Sequence, residues 1–230
     1  MAEKKQLLVL RLDGPLQSWG ENAKWDFRDS STMPTKSGIV GLLGCAMGEE
    51  RGSQVLVELA QSITVAVRAD RPGVKTVDFH SVTGFPLRNA ERKQRTDGKG
   101  KPSDTFTTQR EYLEDACFTV FIDTTPEWQQ RIISALENPR WCMYLGRKNC
   151  VPSRPIQAKA EEYADLLQAI KEYPAAERAG KTMTYECELP VGTAASIERP
   201  DDLIGVNRKF QKRWVWRDAV PRKEEKDVSD

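Results

Sequence analysis

The sequence holds a single histidine, His80, and no pair of cysteines at Cys-x-x-Cys spacing. With so few nitrogen and sulfur ligands, a zinc centre is not expected. The five cysteines, at 45, 117, 142, 150 and 187, are odd in number and scattered. A disulfide framework is therefore not expected, and reduced thiols predict a cytoplasmic chain. Long apolar runs are missing as well. The first, Gln6–Leu12, is broken by Arg11. It is shorter than a signal-peptide core, and no later run reaches membrane-spanning length, so neither a leader nor a membrane contact is expected. Charge of one sign is also lacking: 35 lysines and arginines face 34 aspartates and glutamates. A net charge of +1 gives no overall attraction for nucleic acid, so any such attraction must come from local clusters. The carboxylate pairs Glu161-Glu162 and Asp201-Asp202 stand without further ligands, so a two-metal nuclease is not expected, nor is any cofactor.

What is present is a chain of 230 residues, 39% hydrophobic and 30% charged, which fits one domain over residues 1–230 with a real core and a charged surface. Its most unusual stretch is Leu12–Gly48. Gln6–Leu12 reads as a buried first strand, and Asp13-Gly14-Pro15 and Gly20 punctuate a loop that runs on to about Met33. A connection of that length is uncommon unless it has work to do. Thr35 is placed to cap a helix beginning at Lys36, in which Gly38, Gly41 and Gly44 recur every third residue. Glycine costs a helix roughly 1 kcal/mol per position. Three of them imply a face that approaches something closely, the sheet as first reading and a ligand as second.

Further along, Ser62–Ala69 alternates as a second strand and Val77–Val82 as a third. Arg88–Lys101 carries six basic residues against two acids, with a turn signal at Asp97-Gly98, and Thr105–Tyr112 is extended again. Residues 77–112 therefore read as a long hairpin with a basic tip. Ala116–Asp123 is the clearest central strand, Pro126–Leu136 a helix and Trp141–Leu145 a short fourth strand. The order predicts an α+β fold, a ferredoxin-like βαββαβ unit of the RNA-recognition type, with the hairpin as an extended thumb. Glu161–Tyr173 reads as a helix, and Thr182–Leu189 and Asn207–Arg217 as additional C-terminal strands, before a charged tail at 222–230.

Candidate binding residues follow from chemistry. Lys36 and Ser37 at a helix start suit an anion, since the first amides, an ammonium and a hydroxyl converge there; a full phosphate loop is excluded, because Ser30 and Thr35 stand where it needs glycines. Trp19 and Trp25 flank the loop and offer rings for base stacking, although closing the core is the first reading for Trp25. Basic clusters at 88–101, 147–154 and 207–217 could line one groove around the sheet. Arg88, Arg92, Lys93 and Arg95 rest on charge alone, with Arg110 on the returning strand. His80 could act as a general base in RNA cleavage with Tyr112 or a lysine near it, but it lacks a partner motif and a structural or simple hydrogen-bonding role is the first reading; it is kept among the candidate RNA-binding residues.

The segments LRLDGPLQSWG, MPTKSGIVGLLGCAMG and YLGRKNCVPSRP resemble the RAMP proteins of CRISPR systems, Cas family five of the type I-E Cascade complexes. The resemblance implies a noncatalytic RNA-binding subunit of a surveillance complex in antiviral defence. Such a subunit clasps the 5′ handle of the CRISPR RNA and kinks the guide with its thumb. It implies the backbone subunit and the large PAM-reading subunit as neighbours, with target DNA met only through the complex. Gln17, Ser18, Trp19, Lys36, Ser37, Arg147 and Lys148 fall on the matched motifs and become the first candidates for handle contacts. A type I-C relative resembles an endoribonuclease that processes precursor RNA without metal. That activity and a generic single-stranded RNA-binding module are the alternatives.

Overall fold

Alternation in the first strand sets up the two layers of the molecule. In the computed structural model, which describes residues 3–22, 24, 26–82, 96, 99, 100, 106–188, 197–207 and 209–223, strand β1 spans Lys5–Gln17. It sends Leu8, Leu10 and Leu12 to one face and Leu7 and Val9 to the other. Both faces are covered, so the strand reads as a continuous apolar run. The chain then forms β2 (Phe27–Arg28), α1 (Lys36–Met47), α2 (Gln54–Ser62), β3 (Thr64–Arg71), β4 (Val74–Val82) and β5 (Phe106–Asp123). After these come α3 (Pro126–Glu137), β6 (Ala158–Tyr163), α4 (Leu166–Glu172), β7 (Thr182–Glu188), β8 (Ile197–Gly205) and β9 (Lys209–Pro221).

The sheet runs β6-β1-β5-β3-β7-β9-β8. Its first four strands are the fourth, first, third and second of a βαββαβ unit, antiparallel throughout, which is the ferredoxin-like pattern. The last three extend it. Helices α1, α2 and α3 cover one face through Ile39, Leu43, Leu59 and Ile132, which pack on Leu10, Val67 and Val120. The short α4 covers the other through Leu166, Ala169 and Ile170, over Val9 and Phe121. No helix among the described residues is long and apolar enough to cross a membrane.

The structure departs from the sequence reading in four places. First, β1 does not stop at Leu12. It continues through Asp13, Gly14 and Pro15 because β5 pairs with it as far as Gln17↔Leu113. Second, Trp141–Leu145 forms no strand. The fourth strand is Ala158–Tyr163, which enters the sheet beside β1, and α4 begins only after it, at Leu166. Third, α2 and β8 were not expected. The Ser53 side chain caps α2 by accepting from the Leu56 N–H. Fourth, the glycines of α1 do not meet the sheet. A Cβ on Gly38 would stand 2.8 Å from the Trp19 ring and one on Gly44 2.3 Å from Leu56 of α2, whereas Gly41 opens onto a cleft. The cap itself is as expected: the Thr35 side chain accepts from the Gly38 N–H.

Two buried ionic groups hold the extra layers in place. Arg68 on β3, 1% exposed, donates from Nε to Asp70 at 2.7 Å. Its Nη atoms donate to the carbonyls of Ile170, Tyr173 and Pro174, the open end of α4. Asp70 also accepts from Thr119 Oγ1 and the Ala176 N–H. The second group joins β7, β8 and β9. Glu186 accepts from Nε of Arg199 at 3.1 Å and from Nε of Arg217 at 2.9 Å. Burial alone would raise the Glu186 carboxyl, but the hydrogen bonds and charges of the two arginines outweigh it and hold the group below its ordinary 4.5. A lowered folded-state value stabilises the fold above the unfolded value, and that contribution is lost as pH falls through the folded one. Acid titration from pH 5 downward, followed by circular dichroism, is therefore expected to unfold the protein less steeply in Glu186→Gln, which is also less stable than the parent at pH 7.

Candidate nucleic-acid interface

At the root of the β4–β5 hairpin three strands lie side by side. Arg28 on β2 pairs with Arg110 on β5, and Arg110 with Asp78 on β4. Paired residues share a face of a sheet, so both arginines project from the same side. His80 and Thr108 follow in the next row of that face, and Thr76 and Tyr112 flank it on the other side. His80 Nε2 lies 2.7 Å from the Asp78 carboxylate. Arg28 and Lys148 are exposed and Arg110 half-buried.

Arg147 borders this surface. Its guanidinium sits 4.8 Å from the centroid of the Tyr112 ring. Nη1 donates to the Glu111 carbonyl at 3.0 Å, and Nη2 to the carbonyls of Arg28 at 2.9 Å and Asp29 at 3.2 Å. The arginine thereby pins the otherwise two-residue strand β2 to β5. It also leaves a positive charge at the root. Burial pushes the Glu111 carboxyl up, but the Ser30 N–H, Lys75 and Arg147 outweigh it and hold the group below its usual range. Glu111 belongs to the opposite face, with Val77. That face also carries exposed Phe27, Val77 and Phe79.

The residues of the opening stretch have mostly internal partners. Gln17 is fully buried; its Nε2 donates to the Leu12 and Ala116 carbonyls, and its Oε1 accepts from the Trp19 indole N–H at 3.1 Å. Ser18 Oγ donates to the Glu111 carbonyl. Trp19 is 1% exposed and offers no open face for stacking. Lys36 is 4% exposed, its ammonium 3.0 Å from Glu188 and 3.1 Å from Asp202. The anion at the start of α1 is the protein's own: Asp201 accepts from the Lys36 N–H at 2.6 Å and pairs with the buried Arg213. Lys36, Ser18, Gln17 and Trp19 are thus engaged with the protein's own groups. Ser37 remains half-exposed. Arg88, Arg92, Lys93, Arg95 and Trp25 lie outside the described residues, as does most of the hairpin tip.

Arg28 was missed by sequence reading. It lies in a loop with no periodicity, and only its neighbour Phe27 marks it as part of a surface. Beyond Trp19 the other side of the loop borders a cleft of about 670 Å³ between α1, the turn before α2, the segment 141–146 and the β8–β9 arm.

Residues 7–230 match the family described as CRISPR-associated protein (Cas_Cas5). The chain is 33% identical over 223 residues to the CRISPR system Cascade subunit CasD of Escherichia coli (strain K12), covering 91% of this chain and 94% of that protein. Among solved structures it resembles a chain of a CRISPR RNA-guided surveillance complex with a TM-score of 0.74 and 29% identity, over 94% of this chain and 90% of that one. A second, described as the crystal structure of a Cas protein, aligns with a TM-score of 0.71 and 31% identity over 94% and 95% of the two chains. With a matched span that runs from β1 to the last residue, a ferredoxin-like sheet and a hairpin rooted in a basic face, this chain belongs to the Cas_Cas5 family of CRISPR-associated proteins.

Proposed function

We propose that the protein is a noncatalytic RNA-binding subunit of a type I-E Cascade complex, holding the 5′ handle of the CRISPR RNA at the root of its β4–β5 hairpin. The reading rests on the family and on one observation above all: Arg28 and Arg110 stand in register on one face, with Arg147 locked over Tyr112 beside them. Two guanidinium groups spaced by a strand pairing suit successive phosphates of a single strand. The hairpin beyond them, with Phe79 exposed on its other side, is the element that would bend the guide. The backbone subunit and the large PAM-reading subunit would be its neighbours, and target DNA would be met through them. Arg88, Arg92, Lys93 and Arg95 would add charge along the hairpin, and Lys148 at its root.

The test is guide retention in the assembled complex. Arg28→Ala with Arg110→Ala is expected to weaken binding of handle RNA and to lower the slope of log affinity against log salt by about 1.4, at about 0.7 per lost single-strand phosphate contact. Melting temperature is expected to stay within 2 °C, roughly the scale of surface changes. An unchanged slope would remove the root of the hairpin from the interface. A second reading turns on His80, whose buried Nε2 lies 2.7 Å from the Asp78 carboxylate without a hydrogen bond to it and would serve as the base in metal-independent RNA cleavage. Cleavage of repeat RNA by the isolated protein, lost in His80→Ala, would replace the clamp with that activity.

A further inference from the structure

We infer that Cys45 and Cys142 are a peroxide-responsive thiol pair, which closes into a disulfide and clamps the connection between α3 and β6 onto the end of α1. The inference goes beyond the RNA-binding reading and does not depend on it.

The end of a helix sets up the pair. The last carbonyls of α1 have no donor within the helix. Those of Cys45 and Gly44 accept from the Gly48 and Glu49 N–H groups at 3.2 and 2.9 Å. The Ala46 carbonyl accepts instead from the Arg140 N–H at 2.8 Å, which lays the segment after α3 across the helix end. The approach is close, because a Cβ on Gly48 would stand 2.3 Å from Arg140 Cδ. Just beyond this anchor, the Cys142 carbonyl accepts from Cys45 Sγ at 3.4 Å. Two carbons separate the Cys142 sulfur from that carbonyl, so one exposed side-chain torsion decides how near the second sulfur comes to the first. Burial first, and the neighbouring Cys142 second, push the Cys45 thiol above its ordinary 9.0.

The two thiols divide the work. All five cysteines are free, and Cys142 alone is exposed. Burial pushes the Cys117 and Cys187 thiols up to about 12 and raises Cys150 as well, so these three stay unreactive. A peroxide therefore meets Cys142 first. The Cys142 thiolate attacks one peroxide oxygen, the S–O bond forms and the O–O bond breaks, and the departing hydroxide takes a proton to become water. Cys142 is then a sulfenic acid. Cys45 sulfur attacks Cys142 sulfur, its proton joins the sulfenic oxygen, and the S–O bond breaks to release a second water. Two thiols and one peroxide become one disulfide and two waters: both sulfurs are oxidised and both peroxide oxygens reduced. A dithiol reductant reverses the step by thiol–disulfide exchange. The α3–β6 connection contains no helix or strand, and it carries Gly146 and Arg147. A bond between residues 97 positions apart stabilises it chiefly by restricting the unfolded chain.

The experiment uses the full chain, reduced, freed of reductant and treated with equimolar hydrogen peroxide. It is then alkylated and digested without reduction. Mass spectrometry is expected to find the Cys45 and Cys142 peptides joined, two hydrogens lighter than their sum. Two of the five thiols are expected to disappear and to return with dithiothreitol. The oxidised parent is expected to melt at least about 5 °C above the reduced one. Cys142→Ser, a change at an exposed position, is expected to keep its Cys45 thiol and to show no shift with peroxide. Cys45→Ser is expected to leave Cys142 as a sulfenic acid that dimedone traps. A disulfide between two copies, or one that uses Cys117, Cys150 or Cys187, would overturn the inference. So would a Cys142 sulfinic acid beside an untouched Cys45 in the parent, a full complement of thiols after peroxide, or a melting temperature that oxidation leaves unchanged.

Discussion

Asp70→Ala is expected to lower unfolding free energy by about 3–5 kcal/mol, the scale for removing one partner of a buried ion pair. Arg68 would then stay 1% exposed, with its charge uncompensated. The loss would spread, because Asp70 also accepts from Thr119 Oγ1 and the Ala176 N–H. Those bonds, with the three carbonyls bound by Arg68, fasten α4 and the segment behind it to the sheet. The cost belongs to the orphaned arginine more than to the pair itself. The double change Arg68→Met with Asp70→Ala is therefore expected to recover part of the loss, although the end of α4 would still lack its donors. Urea denaturation of the parent and the two variants measures this. A single-variant loss below 1 kcal/mol would mean that water reaches Arg68 readily.

Gly146→Ala is expected to cost about 2–4 kcal/mol, near the upper end for single substitutions. Gly146 has φ +89°, and an added Cβ would fall 1.7 Å from the Ser18 carbonyl oxygen. Backbone must move. The first bond affected is the Ser18 N–H to the Leu145 carbonyl, at 3.1 Å. The next is the seat of Arg147, whose guanidinium holds β2 against β5 through the carbonyls of Arg28 and Asp29. A single methyl group would thus disturb Arg28 without touching it. Handle-RNA affinity is expected to fall about tenfold, roughly 1.4 kcal/mol, while the exposed neighbour variant Lys148→Ala changes stability by less than about 0.5 kcal/mol. Equal stability of Gly146→Ala and the parent, by thermal melting, would show that the loop can move aside at no cost.

Much of the fold was legible because local and tertiary signals agreed. Thr35 before an apolar helix, Pro126 at the start of α3, the alternation of β3 and the apolar run Ala116–Asp123 of β5 each marked an element that the sheet then used, although β5 joins that run to the extended segment before it in one strand. The failures came where the sheet overrode local preference. Ala158–Tyr163 is composed of helix formers yet pairs with β1 as an edge strand. Asp13-Gly14-Pro15 has turn chemistry but lies within the stretch of β1 that pairs with β5 on both sides of it. Residue type could suggest that Lys36 seeks an anion. It could not say that Glu188 and Asp202, more than 150 positions later, supply one. The same limit hid the burial of Trp19, whose ring is enclosed by Gly38 and bonded through its N–H to Gln17. Arg28 and Arg110 became a surface only once β2 was seen paired with β5.

The carboxylate at the start of α1 also orders events in time. Asp201 reaches the Lys36 N–H across 165 residues of chain. During synthesis the first helix emerges early, but its leading amide and the Lys36 ammonium wait for β7 and β8 before they find their acids. Long-range closures of this kind slow folding. The start of α1 is thus completed only when β7 and β8 join the sheet and bring Glu188, Asp201 and Asp202 to it.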